Sequence, residues 1–140
     1  MANLTEVRRS VRAAVTELAG KTPALEGLTI LQGGQVPLWD VVDQTNTWLQ
    51  ITVSPMDTAN SVAGGGYTQN CELRVLIASK LDALEQRAAI ADVFIEAWAH
   101  RKVGELYAEE FVMTEDDDSA RDIQQWYATL IAFNAWFDRR

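Results

Sequence analysis

The chain has 140 residues, of which 48% are hydrophobic and 23% charged, and its formal net charge is −8. That length suits one domain with a real core, and the composition is not that of a disordered chain. An acidic balance repels phosphates, which argues against a tight electrostatic DNA binder.

No apolar run approaches the roughly 20 residues needed to cross a bilayer, so no membrane span is expected. Arg8, Arg9 and Arg12 are followed by no uninterrupted apolar stretch, so no signal peptide is expected. The single cysteine, Cys71, leaves no internal disulfide framework and fits a reducing compartment.

In chain order, residues 3–18 read as an amphipathic helix. Asn3 and Glu6 form a capping box, and Val7, Val11, Ala14, Val15 and Leu18 make one apolar stripe. Gly20 is the expected stop and Pro23 the exit. The three arginines lie mostly off the stripe, as a solvated basic helix face.

Residues 28–31 form a short strand candidate closed by Gly33 and Gly34. The stretch 36–46 is ambiguous, and Pro37 argues against a central strand there. Residues 48–53 alternate and are rich in β-formers, which predicts a strand ended by Pro55. Residues 54–66 are small, polar and glycine-rich. They read as a flexible loop, either a plain hairpin tip or a segment that orders against a partner.

Residues 68–78 carry the clearest pattern in the chain. Cys71, Leu73, Val75 and Ile77 fall on one face of a strand, with Asn70, Glu72 and Arg74 on the other. That places Cys71 as a buried small hydrophobe. Ser79 and Asp82 look like the cap of a long helix over 81–100. Leu84, Ala88, Ala91, Ile95 and Trp98 give its stripe, widened by Leu81, Phe94 and Ala97. His100, Arg101 and Lys102 put positive charge at its C-terminus, where the helix dipole favours it.

Residues 105–107 suggest a turn and 111–114 a short strand, followed by a polar connection through Asp116, Asp117 and Asp118. Residues 124–137 read as the second major strand. Helical spacing also fits Trp126, Leu130, Phe133 and Phe137, but the aromatic and β-branched content favours strand. Trp126, Leu130 and Trp136 would then point one way, and Tyr127, Ile131, Phe133 and Phe137 the other. A strand apolar on both faces needs cover on both. One helix layer covers only one, so the other needs a second layer or a neighbouring subunit, and the modest chain length suggests the neighbour. The expected fold is therefore α+β: a mainly antiparallel sheet of about four to five strands packed against two principal helices, in a single domain.

Catalytic chemistry finds little support. With one histidine at a helix end and one buried cysteine, no nucleophile–base set is visible, and zinc ligands are too few. Gly64-Gly65-Gly66 runs into Tyr67 rather than a phosphate-binding lysine, and an EF-hand beginning at Asp116 would need an oxygen ligand where Ala120 stands. No catalytic, cofactor-binding or metal-ligating residue is assigned, no cofactor is expected, and the chain reads as no enzyme. Five tryptophans suggest core packing first and surface contact second.

The order of elements resembles the tail terminator (tail completion) proteins of long-tailed bacteriophages. The likeness lies in the opening helix Leu4-Thr5-Glu6-Val7-Arg8, the strand from Tyr67 to Val75 and the helix after it. It lies also in the acidic connection Asp116-Asp117-Asp118 that leads into an aromatic terminal strand. Residues 36–47 depart from the pattern. The resemblance implies a structural virion protein of the phage neck. A hexameric ring would cap the head-proximal end of the tail tube, terminate its polymerisation and provide the surface for head attachment. The implied partners are its own copies, the tail tube protein and the head–tail connector protein. DNA would pass through without specific binding, and no membrane would be involved. The implied location is the virion tail and neck, after assembly in the bacterial host cytoplasm. Six copies would carry roughly −48 formal charges, from −8 each, so the lumen would repel DNA.

Expected partner or subunit contacts are Asp57, Asn60, Tyr67, Asp116, Asp117, Asp118 and Trp136. Two other readings stay open. One is a head-completion or connector protein of the same neck. The other is a cytoplasmic dimeric α+β ligand-binding module or small enzyme.

Overall fold

A computed structural model describes residues 3–32, 46–62, 66–80, 83–115 and 126–139; for 57–62 and 66 it describes the backbone alone. Helix α1, Leu4–Lys21, opens as the sequence suggests: the Glu6 amide donates to Asn3 Oδ1 at 2.9 Å. Its buried residues are Val7, Val11, Val15 and Leu18, the expected stripe. Gly20 does not stop it. The helix continues to Lys21, then Thr22 leaves helical geometry and Pro23 starts a short 3-10 turn, Pro23–Leu25. Gly20 lacks a positive φ, and a glycine that keeps helical angles ends nothing by itself.

Among the described residues the strands are β1 (Thr29–Gln32), β2 (Thr47–Val62), β3 (Gly66–Ser79), β4 (Lys102–Val103), β5 (Leu106–Glu115) and β6 (Tyr127–Arg139). They form one six-stranded sheet in the order β1-β2-β3-β6-β5-β4. Four to five strands were expected; β1 lies where the first short strand was expected, and the two-residue edge strand β4 is the addition. Every neighbouring pair is antiparallel except β1 with β2, which is parallel. Helix α2, Leu84–Trp98, lies between β3 and β4 in the chain.

The central strand behaves as its alternation requires. Cys71, Leu73, Val75 and Ile77 are all buried. They join one core with Val7, Val11 and Val15 of α1, Ile90, Phe94 and Trp98 of α2, and Ile131, Phe133 and Phe137 of β6. Phe133 is its aromatic hub, with ring centroids 6.2 Å from Trp98 and 5.8 Å from Phe111. A smaller cluster occupies the other face of the sheet. Trp48 and Trp126 meet edge to face at 5.9 Å beside Ala78 and Ala128. The terminal strand is thus covered on its second face by its own chain at the Trp126 end, where sequence reasoning had assigned a neighbouring subunit.

Several boundaries differ from expectation. Residues 54–62, expected as loop, are strand, paired through Pro55↔Cys71, Ala59↔Gln69 and Val62↔Gly66 with a register shift between Pro55 and Ala59. Proline lacks an N–H, so it is tolerated next to a bulge or on an outer strand and need not end it. The Ser79–Asp82 cap is also corrected. Ser79 is the last residue of β3, its hydroxyl accepts from Arg87 Nη1 at 2.8 Å, and α2 starts from Ala83 without a side-chain cap. Asp82 lies outside the described residues.

The stripe of α2 is rotated from the expected one. Arg87, Ile90, Ala91, Phe94 and Trp98 are buried, while Leu84 is exposed. A buried arginine inside an apolar stripe hides its true centre. Finally, β5 begins at Leu106, inside the expected turn, because Leu106 and Ala108 already alternate inward before a register shift that ends at Phe111.

Candidate assembly surface

Sheet order decides which backbone groups remain for a partner. On one outer side β1 covers β2 only from Trp48 to Ile51. On the other, β4 covers β5 at Leu106 and Tyr107, and the turn before it adds Ala108 N–H to Arg101 O at 2.9 Å and His100 N–H to Glu109 O at 3.3 Å. Among the described residues no strand pairs with the outer side of β2 beyond Ile51 or with that of β5 beyond Glu109. Unpaired strand edges are natural sites of association.

The free part of β5 is apolar. Phe111, Val112 and Met113 are exposed, Val112 at 67%. Register places Phe111 and Met113 opposite Phe133 and Ile131, on the helix side, and Val112 opposite Ala132, on the open side. The strand is also acidic. Glu109, Glu110 and Glu115 are all exposed. Glu110 accepts from Asn134 Nδ2 at 3.2 Å, and Glu109 accepts from Trp136 Nε1 at 2.9 Å and lies 3.9 Å from His100 Nδ1. Neither Glu110 nor Glu115 forms an ion pair among the described residues.

The β2 edge is flanked by the basic residues of α1. Arg8 donates through Nε and Nη2 to the Val53 carbonyl, at 3.2 and 2.9 Å. This satisfies one edge acceptor and fixes α1 against that strand. Arg12 follows one turn later on the same flank of the helix. Arg8, Arg9 and Arg12 are exposed and form no ion pair among the described residues. The opposite flank of α1 is seated on the β4 turn: Ser10 Oγ accepts from Glu105 N–H at 2.9 Å and donates to the Val7 carbonyl at 2.7 Å.

The expected contact residues are scattered. Trp136 is half-buried, stacked on Tyr107 at 4.3 Å with 13° between the planes, so much of its surface already serves this chain. Tyr67 is half exposed, opposite Arg139 at one end of the β3–β6 seam. Asn60 lies on β2 opposite Thr68, and Asp57 lies in the bulged part of the same strand; only the backbone of each is described. Asp116, Asp117 and Asp118 lie outside the described residues. Sequence reasoning missed Phe111, Val112 and Met113. Their run of three apolar residues followed by Glu115 and the aspartates was the available signal.

Two concavities bear on the ligand-binding reading. One of about 310 Å³ lies on the open sheet face between Gln50, Thr52, Arg74, Leu76 and Leu130. The other, about 570 Å³, lies between the end of α1 and β1, lined by residues such as Lys21, Leu25 and Ile30. Among the described residues no three His, Cys, Asp or Glu side chains converge as metal ligands, and no helix is long and apolar enough to cross a membrane. Cys71 is buried beneath the sheet, and desolvation pushes its thiol up to about 11 despite the opposing pull of Arg8 and Arg139.

No protein-family model matches the sequence, and no curated protein matches it. Among solved structures the fold is similar to that of a chain in the virion of a native gene transfer agent particle. The TM-score is 0.62 at 12% identity, over 96% of each chain. The α+β fold is therefore one shared, nearly end to end, with a virion component.

Proposed function

We propose that this chain is a structural virion protein of the phage neck, not an enzyme. It caps the head-proximal end of the tail tube as a hexameric ring, terminates tube polymerisation and offers its other face to the head–tail connector. The observation that carries this reading is the fold likeness to a virion chain over nearly the full length. The exposed apolar strand Phe111–Met113 supports it, because a chain that works alone rarely leaves such an edge open.

Termination follows from surface matching. One ring face complements the tube subunit, and the opposite face lacks the tube's own polymerising surface. Both would be built by repeating one heterologous contact around an axis. The acidic net charge lets DNA slide through the lumen without adhering. Trp136, Tyr67, Asp57, Asn60 and the run Asp116 to Asp118 are contact candidates on this reading.

The test is native mass spectrometry with negative-stain imaging across a wide concentration range, without and with tail tubes. Six-membered rings with a central hole, or tubes capped at one end, are the expected result. A closed dimer or a monomer that neither rings nor caps tubes overturns the reading. Within the neck, depletion in the parent particle separates the roles: overlong or unstable tails mark a terminator, whereas normal unattached tails mark a head-completion protein.

A further inference from the structure

We propose that successive copies join edge to edge, the free part of β5 in one copy pairing antiparallel with the free part of β2 in the next. This rests on the ring reading above and names the contact that builds it. Three observations bear on this pairing: strand direction and charge point to it, and the offset of the covered segments sets its stagger.

The first is strand direction. β2 is antiparallel to β3, β3 to β6 and β6 to β5. β5 therefore runs with β3 and against β2. Setting β5 of one copy beside β2 of another, with both sheets facing the same way, gives an antiparallel pair. The sheet then continues from copy to copy without reversing, which a rotational ring requires.

The second is the offset of the covered segments. β1 covers β2 opposite the β3 residues Val75–Ala78, while β4 covers β5 near the level of Asn70, read across Tyr107↔Trp136 and Asn70↔Trp136. The two edges are blocked at opposite ends of the sheet. Read across the sheet, Phe111 is level with Val53 and Glu115 with Leu49, while β1 covers β2 as far as Ile51. Among the described residues the two free segments therefore meet only when neighbouring copies are displaced along the strands, as in a ring whose strands are tilted to its axis.

The third is charge. Glu110 and Glu115 border the β5 edge, and Arg8 and Arg12 flank the β2 edge, with no ion pairs of their own among the described residues. Two β5 edges meeting each other would set acid against acid. A β5 edge meeting a β2 edge sets acid against base. Phe111, Val112 and Met113 would then lose their exposure at the new seam.

The experiment uses the full chain and two charge reversals at exposed positions: Glu110→Lys with Glu115→Lys on the β5 edge, and Arg9→Glu with Arg12→Glu on α1. Each variant alone should lose the ring in native mass spectra. An equimolar mixture should restore it, because every junction then alternates lysine with glutamate or glutamate with arginine. A second measurement is independent of charge. Ser54→Cys/Val112→Cys, both on the open face of the sheet, should give covalent ladders up to the full ring with a short bis-maleimide. Either single variant should give none.

Wild-type rings that survive both reversals, or a Val112→Cys variant that crosslinks to itself as a dimer, overturn the edge pairing while the ring stands. A wild type that never forms rings or caps tubes overturns the ring reading, and this pairing falls with it. Circular dichroism of each variant separates lost assembly from lost folding. A variant that unfolds is replaced by the milder Glu110→Gln/Glu115→Gln or Arg9→Gln/Arg12→Gln, which should weaken the ring without abolishing it.

Discussion

Gly104 is the point at which α1 is locked to the sheet, and its replacement by alanine should be costly for two separable reasons. Its φ is +60°, a conformation that costs an ordinary L-residue about 1–2 kcal/mol. A Cβ built there would also stand 2.5 Å from Ser10 Oγ, 2.6 Å from Ser10 C and 2.7 Å from Ser10 O. Two of those atoms are helix backbone and cannot rotate away. Overpacking of this kind adds about 1–3 kcal/mol, for a total of about 2–5 kcal/mol.

Two other glycines supply the controls. Gly27 has φ +75° with nothing within 4 Å of its added Cβ, so Gly27→Ala should cost only the conformational part, about 1–2 kcal/mol. Gly20 lies in α1 with open space around it, so Gly20→Ala should stabilise by up to about 1 kcal/mol. Urea unfolding of the three variants at unchanged m-value gives the differences directly. At an m-value of about 1–3 kcal/mol per molar, Gly104→Ala should unfold on the order of 1 M below Gly27→Ala. Equal midpoints for those two would refute the close approach of α1 to the β4 turn. They would also remove the anchor that sets the basic flank of α1 beside β2.

Three further outcomes follow from the core and the sheet. Phe133→Ala should destabilise the chain by about 3–5 kcal/mol in the same assay, because Phe133 joins the aromatic rings of α2 to β5. Trp136→Phe keeps an aromatic ring over Tyr107 but loses the donor to Glu109, so it should cost no more than about 1 kcal/mol in thermal unfolding. Burial raises the folded Cys71 thiol from an ordinary 9.0 to about 11, so the unfolded chain ionises first. Its contribution to stability is complete below pH 9 and falls away as pH rises towards about 11. Comparing wild type with Cys71→Ala at about pH 8 and about pH 10.5 should show the wild type losing more stability on the alkaline side.

The parts of this fold that were legible in the sequence are those whose burial follows a local period. Cys71 to Ile77 alternate without a break, and Val7 to Leu18 keep one helical stripe, so both elements could be read from residue spacing alone. Elements with an interruption were misjudged. Pro55 looked like an end because proline removes a donor, yet a bulge carries β2 past it. The register shift between Ala108 and Phe111 conceals the period of β5, and Arg87 breaks the stripe of α2. The assembly surface was legible only in fragments. Whether a strand is an edge depends on which distant strand lies beside it. Nothing local to Phe111 or Ser54 reports that β3 and β6 are neighbours. Arg8, read as part of a solvated face, could not be linked to Val53 before α1 and β2 were set side by side.

The β3–β6 seam has a bearing on when the protein becomes competent to assemble. The β2–β3 hairpin and the strands β4 to β6 are each built from segments close in sequence, whereas the seam from Tyr67–Arg139 to Ser79–Tyr127 closes across α2 and everything after it. Local hairpins form in microseconds, and non-local pairings are slower because chain entropy must be spent before contacts repay it. Until that seam closes, the two outer edges belong to separate halves and hold no fixed height relative to each other. A slip of one residue would also turn Phe133 and Ile131 outward, so the register is strongly enforced. Under the edge pairing proposed above, folding would act as a checkpoint: a half-made chain would present one edge but never the matched pair, and could not be taken into a closed ring.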